Sequence, residues 1–424
     1  MEVEMIRNTI LRHKEERNLY LKKTYIKREN IDSSLRFLES DLIKVVTGAR
    51  RTGKSVFSFL LLKDREFGYV NFDDDSLANL HDTDELVKTL SEVYPGAKYF
   101  LFDEIQNLTN WELFVNKLQR RERNLVLTGS NSKLLSGELA SSLTGRYIPI
   151  EILPFSFREY LQALKMEINP ETIQLPEHRG EILRILRQYL QEGGFPEVAV
   201  NRFDSGKYLE TLFDAILLKD IVKRYKIRQA DSILKLAGYM LSNQCSEFTY
   251  TGIKNDFGFR SKTTIQRYLN YLEESFLVFL LNRFSFKVKQ QIKSPKKLYL
   301  LDNGFTRAKG FQFSSNYGKS MENFVFIDLV RRGFVPNRKL FYHKNSDGTE
   351  VDFVVCEEKG VETLIQVCYD ISEYRTKERE IKALSKAARE LKCSNLQVLT
   401  WDYSAEEQHH GNTIKFIALL DWLM

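Results

Sequence analysis

Metal- and disulfide-forming residues are sparse here, with four Cys and six His in 424 residues. Cys245, Cys356, Cys368 and Cys393 form no C-x-x-C pair, which argues against a zinc ribbon or a disulfide framework. His409 and His410 sit in a polar stretch that reads as surface loop. Long apolar runs are missing too. The longest, Phe276 to Leu281, falls far short of the ~20 residues that a membrane span requires. The opening Met1-Glu2-Val3-Glu4 lacks the basic-then-apolar layout of a signal peptide, so a cytoplasmic protein with no membrane partner is expected. No internal repeat and no low-complexity linker interrupts the chain. One absence is local. Between Ser275 and Leu301 there is no acidic residue, while Arg283, Lys287, Lys289, Lys293, Lys296 and Lys297 are all basic. In a chain whose net charge is only +6, that stretch is the expected contact for a polyanion.

What is present is ordinary globular material, 43% hydrophobic and 28% charged. At ~150 residues per domain it suffices for two or three domains. Residues 1 to about 40 are charged and read as helical. Strands at 42–47, 67–72, 98–102, 124–129 and 146–152 then alternate with helices at 54–65, 82–94, 111–121 and 132–143. Such alternation predicts an α/β fold, a parallel sheet covered by helices on both faces. From 156 to about 240 the pattern is helical, broken at Glu192-Gly193-Gly194-Phe195-Pro196. Residues 231–290 read as three helices and a strand or hairpin. The rest returns to mixed α and β: helices near 319–332 and 376–392, strands near 339–344, 350–356, 363–369 and 396–401.

Gly48-Ala49-Arg50-Arg51-Thr52-Gly53-Lys54-Ser55 matches G-x-x-x-x-G-K-[ST] in full, between the first strand and a helix opening at Val56. The two glycines let successive N–H groups turn inward around anionic oxygens at the positive end of the helix. Lys54 adds a point charge for the β- and γ-phosphates, and the Ser55 hydroxyl suits Mg²⁺. The loop from Gly48 to Val56 therefore predicts ATP and Mg²⁺ as ligands. Lys98-Tyr99-Phe100-Leu101-Phe102-Asp103-Glu104 is an apolar strand ending in two carboxylates. Asp103 is placed to hold Mg²⁺ and Glu104 to deprotonate the attacking water, the order of ATPases rather than of kinases or GTPases. Ser130 and Asn131, after the next strand, suit either a γ-phosphate sensor or a helix N-cap. Arg146, at the end of the following helix, is positioned to reach a neighbouring subunit's γ-phosphate in a homo-oligomer. Arg120 and Arg121 are weaker rivals for that role.

The motifs GARRTGKS (48–55), YFLFDEIQN (99–107), LTGSNS (127–132), LTGR (143–146) and ILPFSFREYL (152–161) resemble the archaeal and bacterial AAA+-type ATPases. That family carries a C-terminal domain of unknown function related to restriction-endonuclease-like folds. The resemblance implies a P-loop core, a helical lid whose G-x-P motif, here Gly194-Phe195-Pro196, helps to hold the nucleotide base, and two further domains. The expected organisation is an N-terminal helical segment at 1–36 and an ATPase core at 37–155. A lid at 156–215, a winged helix at 216–298 and an endonuclease-like domain at 299–424 follow. In the winged helix, Arg260-Ser261-Lys262-Thr263-Thr264 opens a third helix suited to DNA, and the basic stretch after it suits phosphates, so 260–297 is the expected DNA contact. The endonuclease-like fold implies a Mg²⁺ site from Glu322, Asp352 and Gln366, but its water-activating lysine is replaced by Cys368. Lys377 and Lys382 are the nearby substitutes, and a degenerate site is expected. The expected function is an ATPase whose nucleotide state controls DNA-associated domains. An ATP-gated endonuclease and a nucleotide-dependent protein scaffold are the alternatives.

Overall fold

The computed structural model describes residues 2–78, 80, 82–130, 145–166, 173, 175–201, 204–310, 316–358 and 360–424. The chain divides into two compact units, where the sequence suggested five segments. One comprises residues 1–165, 195–200 and 274–276; the other comprises 166–194, 201–273 and 277–424. Among the described residues no helix is long and apolar enough to cross a membrane.

The first unit is built on a five-stranded parallel sheet. Its strands are β1 (Ile43–Thr47), β2 (Phe67–Asn71), β3 (Tyr99–Asp103), β4 (Asn124–Gly129) and β5 (Tyr147–Glu151), in the order β2-β3-β4-β1-β5. Every pairing is parallel. β1 is buried along its whole length because both sheet faces are covered, which explains its unbroken apolar reading. Val45 packs with Ile10, Leu86 and Phe114 on one side, while Val46 packs with Phe57, Phe59 and Leu38 on the other. Pro149 sits in β5, where an edge strand tolerates a missing donor. The expected helix at 132–143 lies outside the described residues.

The second unit carries two sheets. Helices Ala230–Ser242, Tyr250–Phe257 and Lys262–Glu274 accompany β6 (Glu247–Phe248), β7 (Val278–Asn282) and β8 (Lys296–Leu300), an antiparallel sheet in the order β6-β8-β7. The second sheet contains β9 (Leu340–Lys344), β10 (Glu350–Glu357), β11 (Gly360–Cys368), β12 (Leu396–Thr400), β13 (Ala405–His409) and β14 (Asn412–Ala418). Its order is β13-β14-β12-β11-β10-β9, with β11, β12 and β14 running parallel. Helix Tyr374–Leu391 buries Ile381, Leu384 and Ala388 against it. The β13–β14 hairpin corrects the expected C-terminal loop. His409 ends a strand and bonds Glu407 at 2.6 Å. Ala405-Glu406-Glu407-Gln408-His409 is an edge strand with no apolar alternation, so nothing in its pattern signals a strand.

Candidate active site

The phosphate loop follows β1 directly and feeds helix Lys54–Leu61. Gly48 has φ +149° and Gly53 +91°, both in the region that glycine alone adopts freely. A Cβ on Gly48 would stand 2.2 Å from the Ile152 carbonyl oxygen, so this position has no space for a side chain. Arg51 also adopts a positive φ, turning the loop's tip. Lys54 is buried; its Nζ donates to the Ala49 carbonyl at 2.9 Å and lies 3.9 Å from Glu104 Oε1. Ala49 and Thr52 are buried in the turn, and Arg50 and Val56 are half-buried.

The motif alone did not reveal what supports this loop. Arg28, from the extended segment between the first two helices, is buried beneath it. Its guanidinium donates to the Thr52 carbonyl at 2.9 Å, the Leu153 carbonyl at 2.6 Å and Glu159 Oε1 at 3.0 Å. Glu159 in turn closes a capping box with Ser156 at the start of helix Phe157–Ala163. Pro196 reaches the loop as well, with its Cγ 4.0 Å from where a Gly53 Cβ would be.

Asp103 and Glu104 end β3 beside the loop. Ser55 Oγ donates to Asp103 Oδ1 at 3.0 Å, and the Thr128 hydroxyl of β4 donates to the same oxygen. Thr128 Oγ1 also accepts the Glu104 backbone N–H at 3.0 Å, so one unanticipated hydroxyl positions both acids. Glu104 has φ +50°, a strained conformation for a non-glycine residue, of the kind that recurs at functional sites. Burial, then the neighbouring Glu104 charge, pushes the Asp103 carboxyl above its ordinary range. Burial alone would raise Glu104, and is the largest single influence, but the Lys54 charge, the Gln106 hydrogen bond and the Arg50 charge together outweigh it and hold that carboxyl below the ordinary range. A hydroxyl and a carboxylate meeting at one point are hard oxygen donors, the type Mg²⁺ takes. An ionised carboxylate next to them can accept a proton.

The other expected site residues divide. The Ser130 hydroxyl is buried near enough to Glu104 to lower its carboxyl, yet outside good hydrogen-bond geometry. Asn131 lies outside the described residues. Arg146 is exposed, and its carbonyl accepts the Ile43 N–H at the start of β1. The phosphate loop leaves the opposite end of that strand, four steps of ~3.3 Å away. Arg146 therefore cannot complete its own chain's loop. It borders a surface cleft with Asp41, Arg120 and Arg123.

In the second unit Glu322 and Asp352 do come together, but around a lysine. Lys297 Nζ lies 2.6 Å from Glu322 Oε1, 2.5 Å from Glu350 Oε1 and 2.9 Å from Asp352 Oδ1, with the lysine side chain 1% exposed. Neither Lys377, which pairs with Glu407 at 2.7 Å, nor the exposed Lys382 takes that place. Lys297 is thereby removed from the expected polyanion surface, whereas Lys287, Lys289 and Lys293 are exposed. Gln366 is engaged elsewhere, accepting the Asp352 N–H at 3.2 Å and donating to Glu380 at 2.7 Å. Burial pushes the Cys368 thiol up to about 12, so it stays protonated. Among the described residues no group of three or more His, Cys, Asp or Glu is arranged to hold a metal ion.

Residues 40–161 match a family described as an AAA domain. Residues 183–314 and 317–420 match two families described as domains of unknown function, DUF8612 and DUF4143. Over 375 residues the chain is 38% identical to the uncharacterized protein MJ1544 of Methanocaldococcus jannaschii, covering 86% of this chain and 82% of that one. An uncharacterized protein of Haemophilus influenzae is 30% identical over 427 residues, covering 95% of this chain and all of that one. The solved Walker-type ATPase PABY2304 of Pyrococcus abyssi superposes with a TM-score of 0.40 at 14% identity, over 67% of this chain and 95% of its own. With its phosphate loop and parallel sheet, the chain is a P-loop ATPase of the AAA type. It belongs to the family of AAA+-type ATPases that carry a C-terminal domain of unknown function and include these two relatives.

Proposed function

We propose that this ATPase is Mg²⁺-dependent and that its nucleotide state controls a DNA-binding winged helix and a nuclease-like C-terminal domain that does not cleave. The observation that carries the catalytic part is the chain Ser55–Asp103–Thr128–Glu104, which joins the loop's hydroxyl to the Asp103 carboxylate and to the Glu104 backbone N–H, two acids of opposite pKa tendency. Lys54 binds the phosphates, while Ser55 and Asp103 hold the metal. When bound, Mg²⁺ neutralises phosphate charge. Glu104, held ionised by Lys54, takes the proton of the attacking water. Ser130 senses the γ-phosphate, and Pro196 packs at the nucleotide. Arg146 serves a neighbouring subunit, consistent with its place at the far end of the strands. Lys54→Ala tests the assignment: fluorescent ATP should no longer bind, and binding at the wild-type level would overturn it. For the trans role, mixing Arg146→Ala with a Glu104→Gln variant should restore some hydrolysis; no rescue removes Arg146 from the mechanism.

The DNA reading rests on charge and exposure. Arg260, Lys262, Thr263 and Arg267 are exposed at or near the start of helix Lys262–Glu274, which Ser261 caps by accepting the Thr264 N–H. Between β7 and β8, Lys287, Lys289 and Lys293 surround the exposed Phe286, Val288 and Ile292. A cleft of ≈ 620 Å³ there is lined by Arg283, Lys289, Lys293 and His343. Cations beside exposed apolar groups suit a phosphate backbone with partly unstacked bases. Binding to a fluorescent duplex should weaken as salt rises and vanish when Lys287, Lys289 and Lys293 become Glu. No binding at low salt would favour a protein scaffold instead.

A further inference from the structure

Lys297 fills the place where the resembled endonuclease-like fold would hold a metal, and three observations determine what it does there. First, its ammonium carries three protons, and three carboxylates, one from helix Tyr317–Arg331 and two from β10, each lie within 2.9 Å. Its donor capacity is therefore saturated. Second, at 2.5–2.9 Å the contacts are as short as or shorter than charge-assisted N⁺–H···O⁻ bonds usually are, and they leave no space for a second cation.

Third, the carboxylates are themselves fixed. Asp352 Oδ2 accepts the Val367 N–H of β11 at 2.9 Å, and Glu322 Oε1 accepts the Tyr299 hydroxyl at 2.8 Å. The Tyr299 ring stacks on Phe326 at 4.0 Å, one turn along the helix (Tyr317–Arg331) that carries Glu322. Glu350, which sequence spacing did not single out, completes the set from the start of β10.

We infer that Lys297 is the resident cation of this centre. It is a protein-supplied ammonium in the position of a divalent metal, closing the centre to metal and tying β8 to helix Tyr317–Arg331 and β10. Three carboxylates clustered at a largely buried point need positive charge, and this chain supplies it covalently rather than from solution. The inference rests on the nuclease-like reading of the C-terminal unit.

The test uses the full chain without nucleotide, so that the phosphate loop contributes no metal of its own. Mn²⁺ binding is followed by electron paramagnetic resonance and by thermal shift. Wild type should show no bound Mn²⁺ that Asp352→Asn removes. Lys297→Met should gain about one Mn²⁺ per chain, with a rise in Tm on adding Mn²⁺, and both should disappear in Lys297→Met/Asp352→Asn. Should Lys297→Met fold poorly, Lys297→Met/Glu350→Gln offers the same centre with one carboxylate fewer, and the same gain is expected. A folded variant that takes up no Mn²⁺ overturns the inference, as does Mn²⁺ bound by wild type and lost in Asp352→Asn. If wild type with Mn²⁺ also cleaves plasmid and Asp352→Asn does not, the non-cleaving assignment under the proposed function fails together with the inference. Asp352-dependent Mn²⁺ uptake by wild type without cleavage overturns the lysine lock alone.

Discussion

Two clusters of buried acids, one in each unit, face the same electrostatic problem and resolve it differently. At the phosphate loop, Asp103 and Glu104 meet a lysine that stays 3.9 Å from the nearest carboxylate oxygen and otherwise bonds a backbone carbonyl. Ser55 and Thr128 supply neutral hydrogen bonds, so positive charge can still be added at the centre. In the second unit, Lys297 inserts its ammonium between Glu322, Glu350 and Asp352, and positive charge is already in place. One centre is arranged for a ligand that comes and goes, the other for permanence. The lysine's position, more than the count of acids, separates them.

The largest expected effect lies in the permanent centre. Lys297→Ala leaves buried Asp352 and the partly exposed Glu322 and Glu350 without their cation and should destabilise the chain by about 3–5 kcal/mol in urea unfolding. A loss below about 1 kcal/mol would mean that the cluster opens to water. In the first unit, Arg28→Met strands Glu159 and two carbonyls beneath the loop, for which about 3 kcal/mol is expected. Nucleotide affinity should fall with it, because Thr52 loses its support. An unchanged affinity would separate the scaffold from the site. Next comes Gly48→Ala, which forces a Cβ against the Ile152 carbonyl and should cost about 1–3 kcal/mol of strain along with nucleotide binding.

A further effect is a pH slope from a buried acid outside both clusters. Asp302 accepts the backbone N–H groups of Gly194 and Gly304 at 2.7 and 2.8 Å, yet burial raises its carboxyl to about 7. A carboxyl raised above its unfolded value of 3.8 takes up a proton on folding. Its contribution is full below that value and is lost as pH rises through about 7. Tm should therefore fall between pH 4 and pH 7, and Asp302→Asn should flatten that fall. An identical slope in the variant would show that other groups set it.

How much of this the sequence disclosed follows from where the determinants lie. The phosphate loop was legible because eight consecutive residues fix both the turn and its chemistry, and Asp103-Glu104 because they end an apolar strand. The parallel sheet was legible because each strand is a short apolar run followed by a helix. Arg28 was not, since it acts on Glu159, 131 positions away, and nothing in its own neighbourhood marks it. Thr128 looked like one more β-branched strand residue. Lys297 looked like one more cation in a basic stretch, and only its pairing with Asp352, 55 positions on, reveals its role. Tertiary coincidences of this kind leave no local periodicity or motif.

The central claim is that chemistry belongs to the open centre, with Glu104 as its base. Steady-state ATP hydrolysis by Glu104→Gln, measured alongside ATP binding, tests it most directly. Retained binding with turnover reduced about 10²–10⁴-fold is expected. Hydrolysis at the wild-type rate would contradict it.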